Sequence, residues 1–215
     1  MAKIQRPPEP FLYPLPVALV TCTEPGGGSN ILTVSWVMNA CAAPPMLTIS
    51  LRPHRYSTQV IQETGEFAVN IPSYNIAYEV DLCGTLSGRD ADKLRISGLT
   101  EAPASVIKAP LLEECVVSME CITRQSIPLG SHTLFLAEIA ALHVDEVVYQ
   151  ARGSMEDSFA SEEDLAAGVE LDKGDDELTL ELTRAKPLLY APHTHEYWVL
   201  GDIAQCHLQS SGKKP

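Results

Sequence analysis

Between Pro16 and Thr23 the chain reads PVALVTCT, and between Asn30 and Val37 it reads NILTVSWV. Both runs are apolar and rich in β-branched residues, and the second alternates as a half-buried strand does. The stretch between them, EPGGGS (Glu24–Ser29), holds a proline and three glycines, which is turn chemistry. Such a segment predicts a strand, a reversal and a returning strand over Asn30–Val37. A long helix cannot run through it, so an antiparallel hairpin sets the fold class.

The same grammar continues. Pro44-Pro45 breaks the chain before a third strand, Met46–Leu51 (MLTISL). Ser57–Glu63 (STQVIQE) predicts a short helix with Ser57 as its N-cap, ended by Thr64-Gly65. Glu66–Ile71 is strand-like, Tyr74–Leu82 helical, and Ser87–Lys93 a polar turn or short helix. Strands follow at Cys115–Arg124 and His132–Val148. Propensity alone permits a helix in the last of these, but Pro128 and Gly130 precede it and apolar residues occur all round, which favours a bent strand. The final third predicts a short helix at Glu162–Ala167 and apolar segments at Pro187–Ala191 and Tyr197–Gly201.

Many short strands with few helices predict a mainly β protein: a closed or partly closed antiparallel barrel with helical excursions. A doubly wound sheet would need strands alternating with long helices, and that alternation is absent. One domain is expected over residues 1–215, with its core at about 12–150 and a variable part at 151–215.

The 215 residues suffice to bury a real core. The formal net charge of −13 argues against nucleic acid and anionic lipid as partners. Much of the acid lies between Glu156 and Glu181, as a solvated face or as a surface for a partner. No apolar run is long enough to span a membrane, and Met1–Pro10 lacks the apolar stretch of a signal peptide, so a cytoplasmic protein is expected. The six cysteines are scattered without a C-x-x-C pair and read as small apolar residues. No zinc spacing supports a metal site, and His193, His195 and His207 read as loop histidines.

Three stretches exceed what a scaffold needs. SLRPHRYST (Ser50–Thr58) sets Arg52 and Arg55 beside three hydroxyls at a helix start, where free N–H groups and the dipole favour an anion. A capped helix with surface arginines explains the same residues. CGTLSGRDADK (Cys83–Lys93) is a polar loop whose Arg89 and Lys93 lie near Asp90 and Asp92, which also fits a salt-bridged turn. Gly130-Ser131-His132 puts a histidine at a strand mouth, able to hydrogen-bond a ligand or simply accommodated. Gly26-Gly27-Gly28 is not a dinucleotide fingerprint, and no phosphate-binding P-loop or nucleophile elbow occurs.

Together with PVALVTC (Pro16–Cys22), PPMLTISLRPHRYS (Pro44–Ser57), TGEFAVNIP (Thr64–Pro72), GLT (Gly98–Thr100), KAPLLEEC (Lys108–Cys115), MEC (Met119–Cys121) and GSHTLFLAEI (Gly130–Ile139), these pieces resemble the flavin reductase-like family, whose fold is an FMN-binding split barrel. The closest resemblance is to its flavoredoxin branch. The pieces keep the family's order over roughly Pro16 to Glu146. The resemblance implies non-covalent FMN in a cleft at a homodimer interface. Asn30, Thr33, Ser35 and Trp36 would line the isoalloxazine, with Val34 on the apolar strand face. Ser50, Leu51 and Arg52 would border the ring and ribityl chain, and Tyr56 and Ser57 would sit by the phosphate. Ser87, Arg89 and Lys93 would add polar contacts, and His132 would approach from the Gly130-Ser131-His132 turn. Trp36 has a second, less favoured reading as a core aromatic.

In such a protein the flavin performs the redox step, so no side chain is expected as an obligatory acid or base. The expected function is an FMN-dependent oxidoreductase, with NAD(P)H as electron donor and a flavin, protein or metal acceptor. The alternatives are a flavoredoxin-type carrier with little direct NAD(P)H activity and a non-catalytic flavin-binding protein. After about Asp157 the resemblance fades. The part at 151–215 would cover the flavin, with Phe159, Tyr190 and Trp198 as wall or lid. Pro192–Asp202 resembles the family's closing segment with an H-x-H insertion.

Overall fold

A computed structural model describes residues 3–146, 149–151, 178–180, 186–191 and 196–199. The predicted helix at Glu162–Ala167, most of the acidic stretch, Phe159, Cys206 and the three C-terminal histidines lie outside them.

The first hairpin forms as expected. Strand β2 (Ala18–Thr23) pairs antiparallel with β3 (Ser29–Val34), Cys22 opposite Asn30. Gly27 takes φ +93° in the connecting turn, a conformation that side chains with a Cβ rarely adopt. The expected strand Asn30–Val37, however, is two strands. β3 stops at Val34, and β4 (Val37–Cys41) starts after Ser35 and Trp36.

That break closes the barrel. Seven strands form one antiparallel sheet in the order β3-β2-β6-β9-β10-β5-β4, with β5 at Met46–Leu51, β6 at Glu66–Pro72, β9 at Cys115–Pro128 and β10 at Thr133–Val144. Its two edge strands are consecutive in sequence. Laid flat, the sheet would be roughly 29 Å wide. A connection through two residues reaches about 10 Å. The sheet must therefore curl until its edges meet, and the link between them is anchored by the Ser50 N–H, which donates to the Trp36 carbonyl at 2.9 Å as a continuation of the β4–β5 pairing.

The inward faces fill the barrel. Along β5, Leu47, Ile49 and Leu51 point in, and they pack with Val20, Val34, Phe67 and Phe135. β10 bends as expected, with register shifts after Leu136 and Ile139. β2 and β3 are buried on both faces, which explains their nearly unbroken apolar sequence. Their outer face carries Leu19 and Ile31, covered by Val80 and Cys83 of α2 (Ala77–Thr85) and Leu94 of α3 (Lys93–Ser97). The helix expected at Tyr74–Leu82 begins as a 3₁₀ turn, Tyr74–Ile76, and continues as α2.

The remaining strands are small. β1 (Leu15–Pro16) pairs with β13 (Leu188–Ala191), which pairs with β14 (Glu196–Val199). The pairs β7 (Glu101–Ala102) with β8 (Leu111–Leu112), and β11 (Tyr149–Ala151) with β12 (Leu178–Leu180), complete the set.

One local expectation is corrected. Helix α1 spans Tyr56–Thr64 with Arg55 as N-cap, and no side chain caps it. Ser57 sits inside the first turn. Its hydroxyl is turned toward the β2–β3 hairpin instead of a backbone N–H.

Candidate functional site

Three elements meet where α1 starts: the β2–β3 hairpin, the β5–α1 loop and the α2–α3 loop. Asn30 and Ser57 are both buried, and the Asn30 Nδ2 donates to the Ser57 Oγ at 2.6 Å. Gly88 of the α2–α3 loop lies directly on Asn30. A Cβ there would stand 2.2 Å from the Asn30 Oδ1, so only glycine permits this approach. Cys22 borders the same group, its thiol beside Ser57 and Asn30. Burial pushes its thiol up to about 12, which makes it an inert wall and not a nucleophile.

Lys93 is the anomaly of the site. It opens α3, yet only 4% of its surface is exposed. Its ammonium donates to the Cys83 carbonyl at 3.2 Å. An ammonium carries three donors, and this is the single acceptor within reach among the described residues. Burial pulls its pKa down to about 8, with Arg55 contributing in the same direction. Nearby, the Arg89 guanidinium lies 5.6 Å from the Tyr56 ring centroid and donates to the Gln59 Oε1 at 2.6 Å. The Ser87 Oγ accepts from the Arg89 N–H at 3.2 Å, fixing that turn.

These residues border an open cavity of about 800 Å³, within the range of small-molecule sites. Its wall includes Asn30, Gly88, Arg89 and Lys93. Carboxylates stand there too, Asp92 paired with Arg95 at 3.7 Å and Glu24 beside Tyr56. Among the described residues, Arg52, Arg55, Arg89 and Lys93 make no ion pair. In a chain of net charge −13, four cations without carboxylate partners among the described residues are suited to an anionic ligand.

A second group lies at the barrel seam. The Trp36 indole and His132 imidazole stack with centroids 4.4 Å apart and planes 24° apart. The Ser131 Oγ and His132 Nδ1 are 2.9 Å apart. Burial lowers the His132 pKa, and Arg52 and His54 lower it further, so the imidazole is neutral near pH 7. Arg52 joins the two groups. Its carbonyl accepts from the Thr58 hydroxyl at 2.8 Å in α1, while its charge acts on His132.

The other expected residues divide by the face they occupy. Val34 and Leu51 point into the barrel core. The Thr33 hydroxyl donates to the Val80 carbonyl, tying β3 to α2. Ser35 and Ser50 lie half-buried at the seam. Trp36 is 40% exposed, so it is not a core aromatic. Sequence reasoning missed Cys22, Gly88 and Gln59. The S-G-R order of Ser87, Gly88 and Arg89 was the available signal for the glycine.

The donor set fits FMN. Uncompensated cations and a buried hydroxyl suit a phosphate monoester. The exposed indole–imidazole stack suits a flat ring. The half-exposed seam backbone suits the ring's polar edge.

Comparison with known proteins agrees. The family described as "Flavin reductase like domain" matches residues 11–158. A relative of 34% identity over 136 residues, from Archaeoglobus fulgidus, has no described activity; the alignment covers 62% of this chain and 73% of that protein. The NADH-dependent FMN reductase AsuE2 of Streptomyces nodosus subsp. asukaensis is 32% identical over 63% of this chain and 71% of its own length. Among solved structures, flavoredoxin of Desulfovibrio vulgaris (Miyazaki F) superimposes with a TM-score of 0.78 at 27% identity, covering 99% of this chain and 100% of its own. A putative flavin reductase with split barrel domain from Shewanella frigidimarina shares the fold, with a TM-score of 0.70 at 18% identity over 89% of this chain and 84% of its own. A mainly β chain with this sheet order, this cation cluster and these relatives belongs to the flavin reductase-like family.

Proposed function

We propose that this protein is an FMN-dependent oxidoreductase that takes electrons from NAD(P)H and passes them to a flavin, protein or metal acceptor. The observation that carries the reading is that Arg89 and Lys93, on the cavity wall with Asn30, and Arg55, which acts on Lys93, make no ion pair among the described residues of an acidic chain. Bound FMN supplies the redox chemistry. The chain's residues bind and orient it. Lys93, Ser57 and the arginines hold the phosphate end. Ser35 and Trp36 flank the ring, His132 braces Trp36, Asn30 positions Ser57, and Thr33 ties β3 to α2 behind them. Neither Cys22 nor His132 is required as a proton donor or nucleophile.

Two relatives favour different uses of the same site. The similarity to an NADH-dependent FMN reductase supports turnover with a nicotinamide. The full-length likeness to a flavoredoxin supports a carrier that exchanges electrons with other proteins. Anaerobic absorption spectra of the purified protein separate them. Bleaching of a bound flavin by NADH or NADPH is the expected result. Bleaching only by a reduced partner protein assigns the carrier role. A colourless protein that takes up no added FMN overturns both.

A cytoplasmic homodimer is part of this proposal. No helix among the described residues is long and apolar enough to cross a membrane. Trp36 and Met38, 40% and 65% exposed beside the seam, are the surface a second copy would cover. Light scattering should give twice the chain mass, and Met38→Glu should lower it.

A further inference from the structure

We propose that FMN binding is proton-linked through Lys93, a buried ammonium with no carboxylate partner among the described residues until the phosphate arrives. The inference rests on the flavin reading of the site and adds a property of the empty pocket.

The geometry sets the condition. Lys93 is nearly sealed from water, and one carbonyl, that of Cys83, takes one of its donors. Among the described residues no element packed around it brings a carboxylate within 4.0 Å of the ammonium, and Glu79 of α2 acts on Cys83. From α2 comes Cys83, whose thiol burial pushes up. From β2 comes Cys22, also neutral. From the β5–α1 loop comes Arg55, a like charge. The cavity wall adds Arg89 and Arg95 against Glu24, Asp90, Asp92 and Glu101, but none of these carboxylates lies within 4.0 Å of the ammonium. A buried ammonium in such surroundings is easier to deprotonate than one in water, and its pKa of about 8 agrees.

A phosphate dianion supplies what the pocket lacks. Two donors of Lys93 have no acceptor among the described residues, and Ser57 lies behind Asn30, which shares the cavity wall with Lys93. The charged form of Lys93 is then favoured, and its pKa rises. Between the free and bound values each binding event draws a proton from solvent. The phosphate of FMN does not confound this, because its second ionisation lies near pH 6. By linkage, FMN affinity falls up to about tenfold per pH unit above pH 8 until the bound-state value is reached. Riboflavin, which has no phosphate, draws no proton.

The test is titration calorimetry of the full-length, flavin-free protein at pH 8.5 in buffers of differing ionisation enthalpy. For FMN the binding enthalpy should depend on the buffer, with uptake of a substantial fraction of a proton. For riboflavin it should not. Lys93→Met should abolish the dependence. Lys93→Arg, which stays charged throughout this range, should bind FMN without proton uptake. FMN binding whose enthalpy is the same in every buffer, or uptake that survives in either variant, overturns the proposal while leaving the flavin reading intact. Binding of neither ligand overturns both.

Discussion

The rings of Trp36 and His132 lie stacked 4.4 Å apart across the barrel seam. Trp36 belongs to the two-residue link between the edge strands β3 and β4, and His132 immediately precedes β10. Burial disfavours the imidazolium, and the charges of Arg52 and His54 disfavour it further. The folded pKa is therefore below the unfolded value of about 6.5. His132 contributes stability that is present above the unfolded value and is lost as pH falls through the folded one. In a Trp198→Phe background, Trp36 is the sole indole. Its fluorescence should titrate with a midpoint below 6.5, and Arg52→Ala should raise that midpoint. A midpoint unmoved by removing Arg52 would place the guanidinium elsewhere.

Gly88→Ala tests the closeness of the α2–α3 loop to the hairpin. The new Cβ would stand 2.2 Å from the Asn30 Oδ1, and φ at this position is not in the left-handed region. The change acts on Asn30, not on the backbone. Asn30 must turn away, and its hydrogen bond to Ser57 breaks. We expect FMN affinity to fall about tenfold or more, the effect of roughly 1.4 kcal/mol, as for one lost buried hydrogen bond. The far-ultraviolet circular dichroism should not change. Equal affinity for FMN in wild type and variant would separate this loop from the binding site.

The alternation and turn residues of Pro16–Val37 made the hairpin legible, and β5 and β6 were legible in the same way. The break at Ser35-Trp36 was not. NILTVSWV keeps its alternation through the break, because both halves are genuine strands. What separates them is closure of the sheet, a property of seven strands together. Ser57 failed as a cap for a related reason. A hydroxyl at a helix start favours the local N–H, but here a buried Asn30 from a distant strand competes and wins. At the site, the arginines and Lys93 could be picked out by type. That Lys93 is buried beside Cys83 and Cys22 could not, since burial depends on how α3 packs over β3.

Asn70 is a buried crosslink through the sheet. Its Nδ2 donates to the Leu19 carbonyl at 3.1 Å and the Thr21 Oγ1 at 3.3 Å. Its Oδ1 accepts from the Leu112 N–H at 3.2 Å and the Ser118 Oγ at 2.7 Å. One amide thus joins groups of β2, β8 and β9, and the Leu112 N–H and Ser118 hydroxyl take it as their acceptor. Asn70→Ala strands the Leu112 N–H and the Ser118 hydroxyl away from water and should cost about 3 kcal/mol. Urea denaturation should show a lower midpoint with an unchanged slope.

Glu120 holds the 103–110 loop to β9 and is fully buried. One carboxylate oxygen accepts from the Ser105 N–H at 2.7 Å and the Ser105 Oγ at 2.6 Å, and lies 2.6 Å from the His143 Nε2. The other accepts from the Val106 and Ile107 N–H groups at 2.6 and 3.0 Å. Burial alone would raise the pKa. The Ser105, His143 and Val106 hydrogen bonds outweigh it and hold the group at about 2. The folded value is thus depressed below the ordinary 4.5, so this carboxylate's contribution is present above 4.5 and is lost as pH falls from there toward 2. Glu120→Gln keeps the shape but sets an amide N–H₂ against donors. It should cost about 3 kcal/mol at pH 7. Its stability should also vary less with pH between 5 and 3 than that of the wild type, because the titrating group is gone. Denaturant midpoints for both proteins at pH 7, 5, 4 and 3 measure this, and parallel pH profiles would show that the loop is held by something other than the carboxylate charge.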